Sequence, residues 1–425
     1  MEVITKSLGQ ICDEGKGTIR TGPFGSQLHR SDYCQDGIPV VMPKDIIGGR
    51  VSVEDVARVD GQHALRLSQH RLKVGDIVYG RRGDIGRHAF IQERESGCLC
   101  GTGCIRVTLG DSVLDPKFLH YYLCQENVIA WVTLQAVGAT MPNLNTSILR
   151  SVPITFPPLP TQRKITAILS VYDDLIENNL RRIKILEEMS QNLYHEWFVE
   201  FHFPGYKHAR FIDSPIGPIP EGWGIAKMPE AVEVRPHLHV PTSEQVIFVP
   251  MGSLSESSML ISDVEIRSKA SGTRFQNGDT LFAGITPCLE NGKTGFVQFL
   301  PSGDAIACGS TEFIVLRSKT LCPEYVYLMA RSDAFRDNAI KSMSGASGRQ
   351  RVREECFDQF LLAHPPVAII EQFQTITRSQ FDSIHCLTRR NDTLRRTRDL
   401  LLPKLITGEI DVSELDLVAP EEAKA

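Results

Sequence analysis

The chain has 425 residues, enough for about two to four domains, and its 42% hydrophobic content is ordinary for globular protein. It contains no apolar run of the roughly 18 residues that would span a membrane, and its N-terminus lacks an apolar signal segment, so we expect a protein that is neither membrane-embedded nor exported. The formal net charge of −5 means that any nucleic-acid-binding surface must be local. An odd count of 11 cysteines without a paired CxxC framework favours a reducing compartment.

The first 157 residues combine short strand and turn patterns with some helix. Glycine turns lead into apolar strands at 38–42 and 77–79, and a polar, glycine-marked loop at 81–87 stands before another strand at 88–92. Asp115 and Pro116 begin a helix that we expect to continue to Trp131. This mixture predicts a compact α/β domain.

A long helix is predicted from Thr161 to Phe198. Apolar residues recur there at alternating steps of four and three, which is the seam of a helix that pairs with another helix. Thr161 is expected to cap it, directly behind three prolines between positions 157 and 160. The seam positions are Ile165, Leu169, Ile176, Ile183, Leu186 and Leu193. A single helix of this kind would also fit a buried core helix or a homodimeric coiled coil.

The second half of the chain repeats the first at an offset of 203 to 208 residues. Residues 275–282 match 72–79, residues 308–310 match 100–102, and residues 322–326 match 115–119. A Pro/Gly-rich linker at 203–220 leads into this second copy. We therefore interpret the chain as a tandem duplication of one unit, an α/β domain followed by a long helix.

A weaker seam follows the second domain, behind Pro365 and Pro366. Its selected positions are Phe373, Leu387, Leu394 and Leu401. In the repeat alignment Asn179 falls on Leu387 and Ile183 on Asn391, and a mismatched polar seam residue fixes register and partner at a cost in stability. The two helices are therefore predicted to pair with each other, although polar Gln380 and Arg398 leave the register open. Pro403 is expected to kink or stop the second helix around Leu402.

Catalytic motifs are not found. Residues 287–294 approach a phosphate-binding GxxxxGK[ST] loop, but Pro287 replaces its first glycine and a strand follows where a helix is needed. GxSxG, HExxH and amino-methyltransferase motifs do not occur. A magnesium-dependent nuclease site would have to use Asp84 with Glu93, or Glu290 with Lys293. These residues are better explained as parts of solvated loops. Cys98, Cys100 and Cys104 complete no zinc-ligand pattern, so no metal is expected.

Basic and amide side chains instead occupy loops at matching places in both copies. Such side chains grip phosphates and make bidentate contacts to base edges. The candidate DNA-binding residues are Gln69, Arg71, Arg81, Arg82 and Arg87 in the first copy, and Lys293, Arg349, Gln350 and Arg351 in the second.

Three further segments carry a resemblance that covers nearly the whole chain. Residues 157–165 (PPLPTQRKI), 219–223 (IPEGW) and 400–410 (LLLPKLITGEI), together with the duplicated layout, resemble the specificity subunit of type I restriction-modification enzymes. Residues 278–293 also resemble one recurrent version of that family's target recognition domain.

This resemblance implies a non-catalytic subunit of mixed α/β (α+β) fold. It implies two target recognition domains that each read one half of a bipartite DNA sequence, and an antiparallel helix pair that sets the gap and binds two modification subunits. S-adenosylmethionine, ATP and magnesium would be bound by the modification and restriction subunits, with no cofactor on this chain, in the cytoplasm of a bacterium or archaeon. The corresponding divisions are 1–157 and 203–365 for the recognition domains, 158–202 and 366–411 for the helices, and 412–425 for an acidic, flexible tail. Two hypotheses stay open beside it: a stand-alone methyltransferase or nuclease with degenerate motifs, and a coiled-coil scaffold without a nucleic-acid role.

Overall fold

The computed structural model describes residues 3–53, 56–83, 85–136, 143–239, 245–269, 271–346 and 348–416. The chain divides into two compact units, the first formed by Met1–Leu175 with Thr393–Ala425 and the second by Ile176–Asp392. Each long helix contributes residues to both units. The predicted mixed α/β class and internal repeat are confirmed, whereas the division into five segments stays a prediction. The tail beyond residue 416 lies outside the described residues.

Within its described residues, the first unit contains twelve strands and five short α-helices, and parts of both long helices complete it. The elements are β1 Ile4–Ser7, α1 Leu8–Glu14, β2 Lys16–Thr21, β3 Tyr33–Cys34, β4 Ile38–Val41, β5 Ile46–Ile47, β6 Arg50–Val51, β7 Ala57–Val59, α2 Gly61–Arg66, β8 Ile77–Gly80, β9 His88–Phe90, β10 Leu99–Cys100, β11 Cys104–Gly110, α3 Pro116–Leu123, α4 Glu126–Gln135, α5 Thr146–Ser151 and β12 Pro153–Phe156. The first long helix is α6 Leu159–Tyr194, and a π-helical turn His195–Val199 extends it.

Two four-stranded sheets organise this unit. One has the antiparallel order β2-β11-β8-β9, and the other has the order β10-β4-β7-β3 with a parallel pairing between β10 and β4. Strand β8 is buried along its whole length because apolar clusters cover both of its faces. This double burial explains why the segment is a continuous apolar run and not an alternating pattern.

In the described part of the second unit there are twelve further strands. Its elements are β13 Phe211–Ile212, β14 Ile219–Pro220, β15 Gly224–Lys227, α7 Met228–Ala231, β16 Val232–Val234, β17 Val246–Val249, β18 Glu265–Arg267, β19 Thr273–Phe275, β20 Thr280–Ala283, β21 Thr294–Phe296, β22 Ala307–Gly309, β23 Phe313–Ser318, α8 Pro323–Arg331, α9 Asp333–Lys341, α10 Glu355–Asp358, β24 Leu361–His364 and the second long helix α11 Val367–Thr407.

The sheets of the two units repeat in order and in register. The order β16-β23-β20-β21 matches β2-β11-β8-β9, and the pairing of β15 with β24 matches that of β1 with β12. Ile77 faces Val107 and Phe90 across its sheet, as Thr280 faces Leu316 and Phe296. An offset of 203 residues on the central strand therefore identifies equivalent positions in the two units.

The helix seams are packed within each unit. Ile165 and Leu169 join an apolar cluster with Leu402, Leu405 and Ile406 in the first unit. In the second unit the Asn179 Nδ2 donates to Asn391 Oδ1 at 2.8 Å, and Ser190 Oγ donates to Gln380 Oε1 at 2.6 Å. Because one residue number rises by 11 while its partner's falls by 11, these segments run antiparallel.

The ten selected seam positions differ in burial. Six are buried: Ile165, Leu169, Ile176, Ile183, Phe373 and Leu387. Four are half-buried: Leu186, Leu193, Leu394 and Leu401. Arg398, which had left the register open, donates from Nη1 to Asp173 Oδ1 at 2.6 Å within the first unit.

Several details differ from the sequence-based expectations. The first long helix begins at Leu159, so Thr161 lies inside it and does not cap it. The helix predicted to run from 115 to 131 is broken at Gln125, whose backbone is extended, and becomes α3 and α4. Helix α11 does not stop at Leu402 but continues through Pro403 to Thr407, where buried Leu405 and Ile406 anchor its last turn.

The predicted linker is packed on the second unit. Strands β13 and β14 form a small hairpin, and Phe203, Ile219 and Trp223 are buried in the main apolar cluster of that unit. The side chains of Phe201 and Phe203 both lie 5.2 Å from the Trp223 ring. Apolar side chains between the prolines, which follow neither helix nor strand periodicity, hold this segment against the second unit.

Candidate nucleic-acid interface

In the first unit, the loop 81–87 leaves the central sheet where β8 ends. The Arg81 backbone N donates to Gly103 O at 2.8 Å and its Nε donates to Leu144 O at 3.1 Å, while Leu144 N donates back to Arg81 O at 2.9 Å. Arg82 forms a bridge with Asn143. The Arg81 guanidinium therefore braces the loop, and the exposed side chains of Arg82 and Arg87 extend from it. Asp84, part of the rejected nuclease arrangement, lies outside the described residues.

The equivalent loop of the second unit follows β20 and is braced in a similar way. Thr286 N donates to Gln350 O at 3.0 Å, and Gln350 N donates to Thr286 Oγ1 at 2.9 Å. Ile285 also forms a bridge with Arg351. The structure thus brings the predicted residues 349–351 against the loop that ends at Lys293. Strand β21 follows this loop, as expected from the rejection of a phosphate-binding motif.

Several predicted side chains of the second unit already have partners. Arg351 makes two hydrogen bonds to Glu312, Nε to Oε2 at 2.8 Å and Nη2 to Oε1 at 2.7 Å. This hydrogen bonding holds the pKa of the Glu312 carboxyl below its usual value. Lys293 Nζ donates to Met251 O at 3.4 Å, and Arg349 is exposed. Arg349 is therefore better placed than Arg351 to reach DNA without first breaking an ion pair.

Gln69 and Arg71 lie beside the other sheet of the first unit. Arg71 forms a bridge with Leu99, and its carbonyl oxygen accepts a hydrogen bond from Arg106 Nη1. Gln69 is exposed. Arg274 occupies the position equivalent to Arg71, pairs with Cys308 and is exposed. The sequence reasoning missed Arg274, although the offset of 203 residues would have found it.

Further residues were missed because their partners are distant in sequence. Asn143 and Leu144 complete the first loop. In the second unit Arg331 Nη1 donates to Gly292 O at 3.0 Å and Arg336 Nη2 donates to Glu290 O at 3.0 Å, so two guanidinium groups fix the loop from behind. Arg353 was not missed, since it belongs to the predicted basic segment 349–353; it is exposed beside this loop and donates to Ser344 Oγ at 2.9 Å.

These two loops sit at equivalent places on one repeated scaffold and carry different side chains. Residues 51–188 match a family model described as type I restriction modification DNA specificity domain. The chain therefore carries a domain of the type I specificity family, and proteins named as specificity subunits are similar to it over nearly its whole length.

Proteins named as specificity subunits resemble the chain over nearly its whole length or over part of it. It is 23% identical over 399 residues to the type I restriction enzyme MjaIX specificity subunit of Methanocaldococcus jannaschii, which covers 90% of this chain and 89% of that protein. It is 33% identical over 155 residues to the EcoEI specificity subunit of Escherichia coli, or 35% of this chain and 26% of that protein. The chain also resembles the crystal structure of a type I restriction-modification system S subunit from M. genitalium, with a TM-score of 0.55 and 14% identity. The superposition covers 95% of this chain and 96% of that one, and it shows a similarity of fold.

Specificity subunits are non-catalytic, in agreement with the lack of catalytic motifs in the sequence. None of the helices in the described ranges is long and apolar enough to cross a membrane. Cys98, Cys100 and Cys104 are buried free thiols in an apolar cluster of the first unit.

Proposed function

We propose that this chain is the DNA-recognition subunit of a type I restriction-modification complex, in which each unit reads one half of an asymmetric, bipartite target. The paired helices set the spacing of the half-sites and dock two modification subunits. Half-sites read from one face of DNA lie about one helical turn apart, roughly 34–36 Å.

The observation that carries this proposal is the pair of loops on a repeated scaffold. The loop at 81–87 offers arginine donors, whereas the loop at 285–293 offers an amide, a lysine and main-chain groups. Base readout depends on which donors and acceptors meet each groove edge. Equivalent loops of different chemistry are therefore suited to different half-sites, and the whole target is expected to be asymmetric.

Within this proposal the chemistry belongs to partner subunits. Modification subunits bind S-adenosylmethionine and methylate adenine, and restriction subunits use ATP and magnesium, so this chain itself binds none of these cofactors. Methylation of a base within a duplex requires the base to be flipped out. A reader that holds both flanking half-sites supports such a step by keeping the duplex in place, and the complex acts in the cytoplasm.

The test is methylation mapping with a domain exchange. The chain is co-purified with its modification partner, DNA of random sequence is exposed to it with S-adenosylmethionine, and methylated adenines are mapped. Replacing residues 1–155 with the matching segment of a relative should change one half of the target and leave the other half and the gap unchanged. Replacing the matching part of the second unit should change the opposite half.

Three outcomes would contradict the proposal. A palindromic target, or an exchange that alters both halves, would refute the two-reader mechanism. Turnover by the isolated chain with S-adenosylmethionine or magnesium would instead support a stand-alone methyltransferase or nuclease. Binding of DNA that does not weaken as salt rises would favour a scaffold without a nucleic-acid role, since neutralising phosphates releases counterions.

A further inference from the structure

Three potential metal ligands converge in the first unit, one of them directly after the loop 81–87. A ring nitrogen of His88, a ring nitrogen of His120 and the Cys124 sulfur all lie within 4.8 Å of one another. His88 is on β9, His120 is on α3 and Cys124 follows that helix directly. His120 and Cys124 are four residues apart, so the helix places both side chains on one face.

The contacts of His88 leave one nitrogen directed at this cluster. His88 Nδ1 lies 3.0 Å from Gly86 O, and Nε2 lies 3.2 Å from His120 O and 3.6 Å from Cys124 Sγ. A neutral imidazole has one N–H and can donate to only one of these two carbonyls. In the tautomer that donates from Nδ1 to the nearer carbonyl, Gly86 O, the lone pair of Nε2 is on the side of Cys124. Orientation of a ligating imidazole by a backbone carbonyl on its other nitrogen is typical of metal sites.

A second, independent observation is the state of His120. Its Nδ1 is buried and has no hydrogen-bond partner within the described part of the chain. An imidazole nitrogen in that state has lost its hydration without gaining a partner, which is unfavourable. A metal ion bound through this nitrogen would supply the missing partner.

The spacing also fits zinc. Bonds of about 2.0–2.1 Å to nitrogen and about 2.3 Å to sulfur, at a tetrahedral angle, place the two ligand atoms about 3.6 Å apart. His88 Nε2 and Cys124 Sγ are 3.6 Å apart. His120 and Cys124 also line a cavity of about 760 Å³, which leaves room for a fourth ligand.

The charges around the cavity do not oppose a cation. Its lining includes Arg50, Lys117 and Arg398, but also four carboxylates, Asp173, Asp174, Glu126 and Asp399. Arg398 is paired with Asp173 at 2.6 Å and with Asp399 at 2.8 Å. Its charge is therefore compensated before any ion binds.

The internal repeat shows that the scaffold does not require these residues. Register places Thr294, Tyr327 and Arg331 of the second unit at the positions of His88, His120 and Cys124. Those residues serve packing and loop bracing: Tyr327 contacts Phe296, and Arg331 donates to Gly292 O. The fold shared by the two units therefore does not require two histidines and a cysteine at these positions.

We propose that His88, His120 and Cys124 bind one zinc ion, with a fourth coordination position open to the cavity of the first unit. The ion would link β9 to α3 and stabilise the first unit. This differs from the sequence-based expectation that the chain holds no metal, and it does not depend on the proposed DNA recognition.

The test uses the full chain, stripped with a chelator and dialysed against zinc. We expect one zinc per chain by elemental analysis and a zinc-dependent rise in melting temperature. Cobalt substitution should give a thiolate-to-cobalt charge-transfer band and the strong visible bands of a tetrahedral site. Cys124→Ser should lose that charge-transfer band and weaken zinc binding by more than the roughly 10–100-fold typical of second-shell changes.

Cys308→Ser, which removes a buried free thiol of the second unit, is the matched control and should behave as the wild type. If Cys124→Ser does not fold, the wild-type cobalt spectrum and melting curves alone decide. Less than half an equivalent of zinc, a cobalt spectrum without a thiolate band, or equal behaviour of the two serine variants would each overturn the proposal.

Discussion

The buried amide pair between the long helices offers a direct test of the seam. Asn391 is 1% exposed and Asn179 is 5% exposed, and their side chains share one hydrogen bond of 2.8 Å. Asn179→Leu leaves the Asn391 carbonyl oxygen buried without a donor, which costs about 1–3 kcal/mol. Asn391→Leu should cost a similar amount. Replacing both by leucine removes the unpaired group as well as the bond, so we expect the double variant to be within about 1 kcal/mol of the wild type, or more stable.

The assay can be restricted to the second unit. The chain has three tryptophans, and Trp131 is the one in the first unit, so a Trp131→Phe background leaves fluorescence from Trp197 and Trp223. Urea unfolding of the two single variants and the double variant then gives a double-mutant cycle. Asn178→Leu, at an exposed neighbouring position, is the control and should change stability by less than about 0.5 kcal/mol. Single variants as stable as that control, with additive effects in the double variant, would refute the reasoning.

Three further predictions follow from the described contacts. The double change Ile183→Asp and Leu186→Asp should destabilise the second unit by several kcal/mol, because it buries carboxylates without partners. Ile185 is 47% exposed on the same helix, so Ile185→Asp should be tolerated. Urea unfolding measures the difference between the two variants. Arg82→Ala should weaken DNA binding by the assembled complex by about 1–3 kcal/mol in a titration, whereas Lys16→Ala, at the far end of the same sheet, should leave it unchanged. Burial raises the pKa of Glu187 above its unfolded value, so its contribution to stability is lost as pH rises through the folded pKa. Glu187→Gln, which carries no ionisable group, should therefore gain stability relative to the wild type as pH rises above the unfolded pKa of Glu187, and equal pH profiles would count against this.

The repeat and the helix seams could be predicted from sequence because they depend on local periodicity and a constant offset. The contact between Asn179 and Asn391 could not be predicted, because the repeat alignment compares the two copies in parallel and places each asparagine on an apolar residue. Antiparallel pairing reverses one helix and brings the two amides together. The same reversal resolves Gln380, which accepts from Ser190.

The repeat predicts loops after equivalent strands of the two units, but the contacts of their side chains could not be predicted. The sequence does not distinguish Arg81 from Arg351, but Arg81 donates to the Leu144 carbonyl whereas Arg351 forms an ion pair with Glu312. Both partners are tens of residues away and carry no local signal. The His88 cluster was missed for the same reason, although the spacing of His120 and Cys124 on one helix was a usable hint.

Equivalent positions in the two units share some hydrogen bonds and differ in others. At equivalent turns the carboxylates of Asp76 and Asp279 each accept a backbone hydrogen bond of 2.8 Å, from Lys73 and from Gln276. Across the sheet, Thr108 donates to the first, whereas Arg317 takes the Thr108 position and makes two bonds to the second.

A scaffold contact can therefore exchange its partner without changing the register of the strands. The loops that follow these strands are braced differently. In loop 81–87 the half-buried Arg81 donates to Leu144 O outside the loop, whereas loop 285–293 is held by two guanidinium groups, of Arg331 on α8 and Arg336 on α9. Because the bracing side chains are not the exposed ones, the exposed side chains of each loop can change without loss of the loop's position. This arrangement allows each unit to acquire a new half-site independently of the other, which is the physical basis for expecting an asymmetric target.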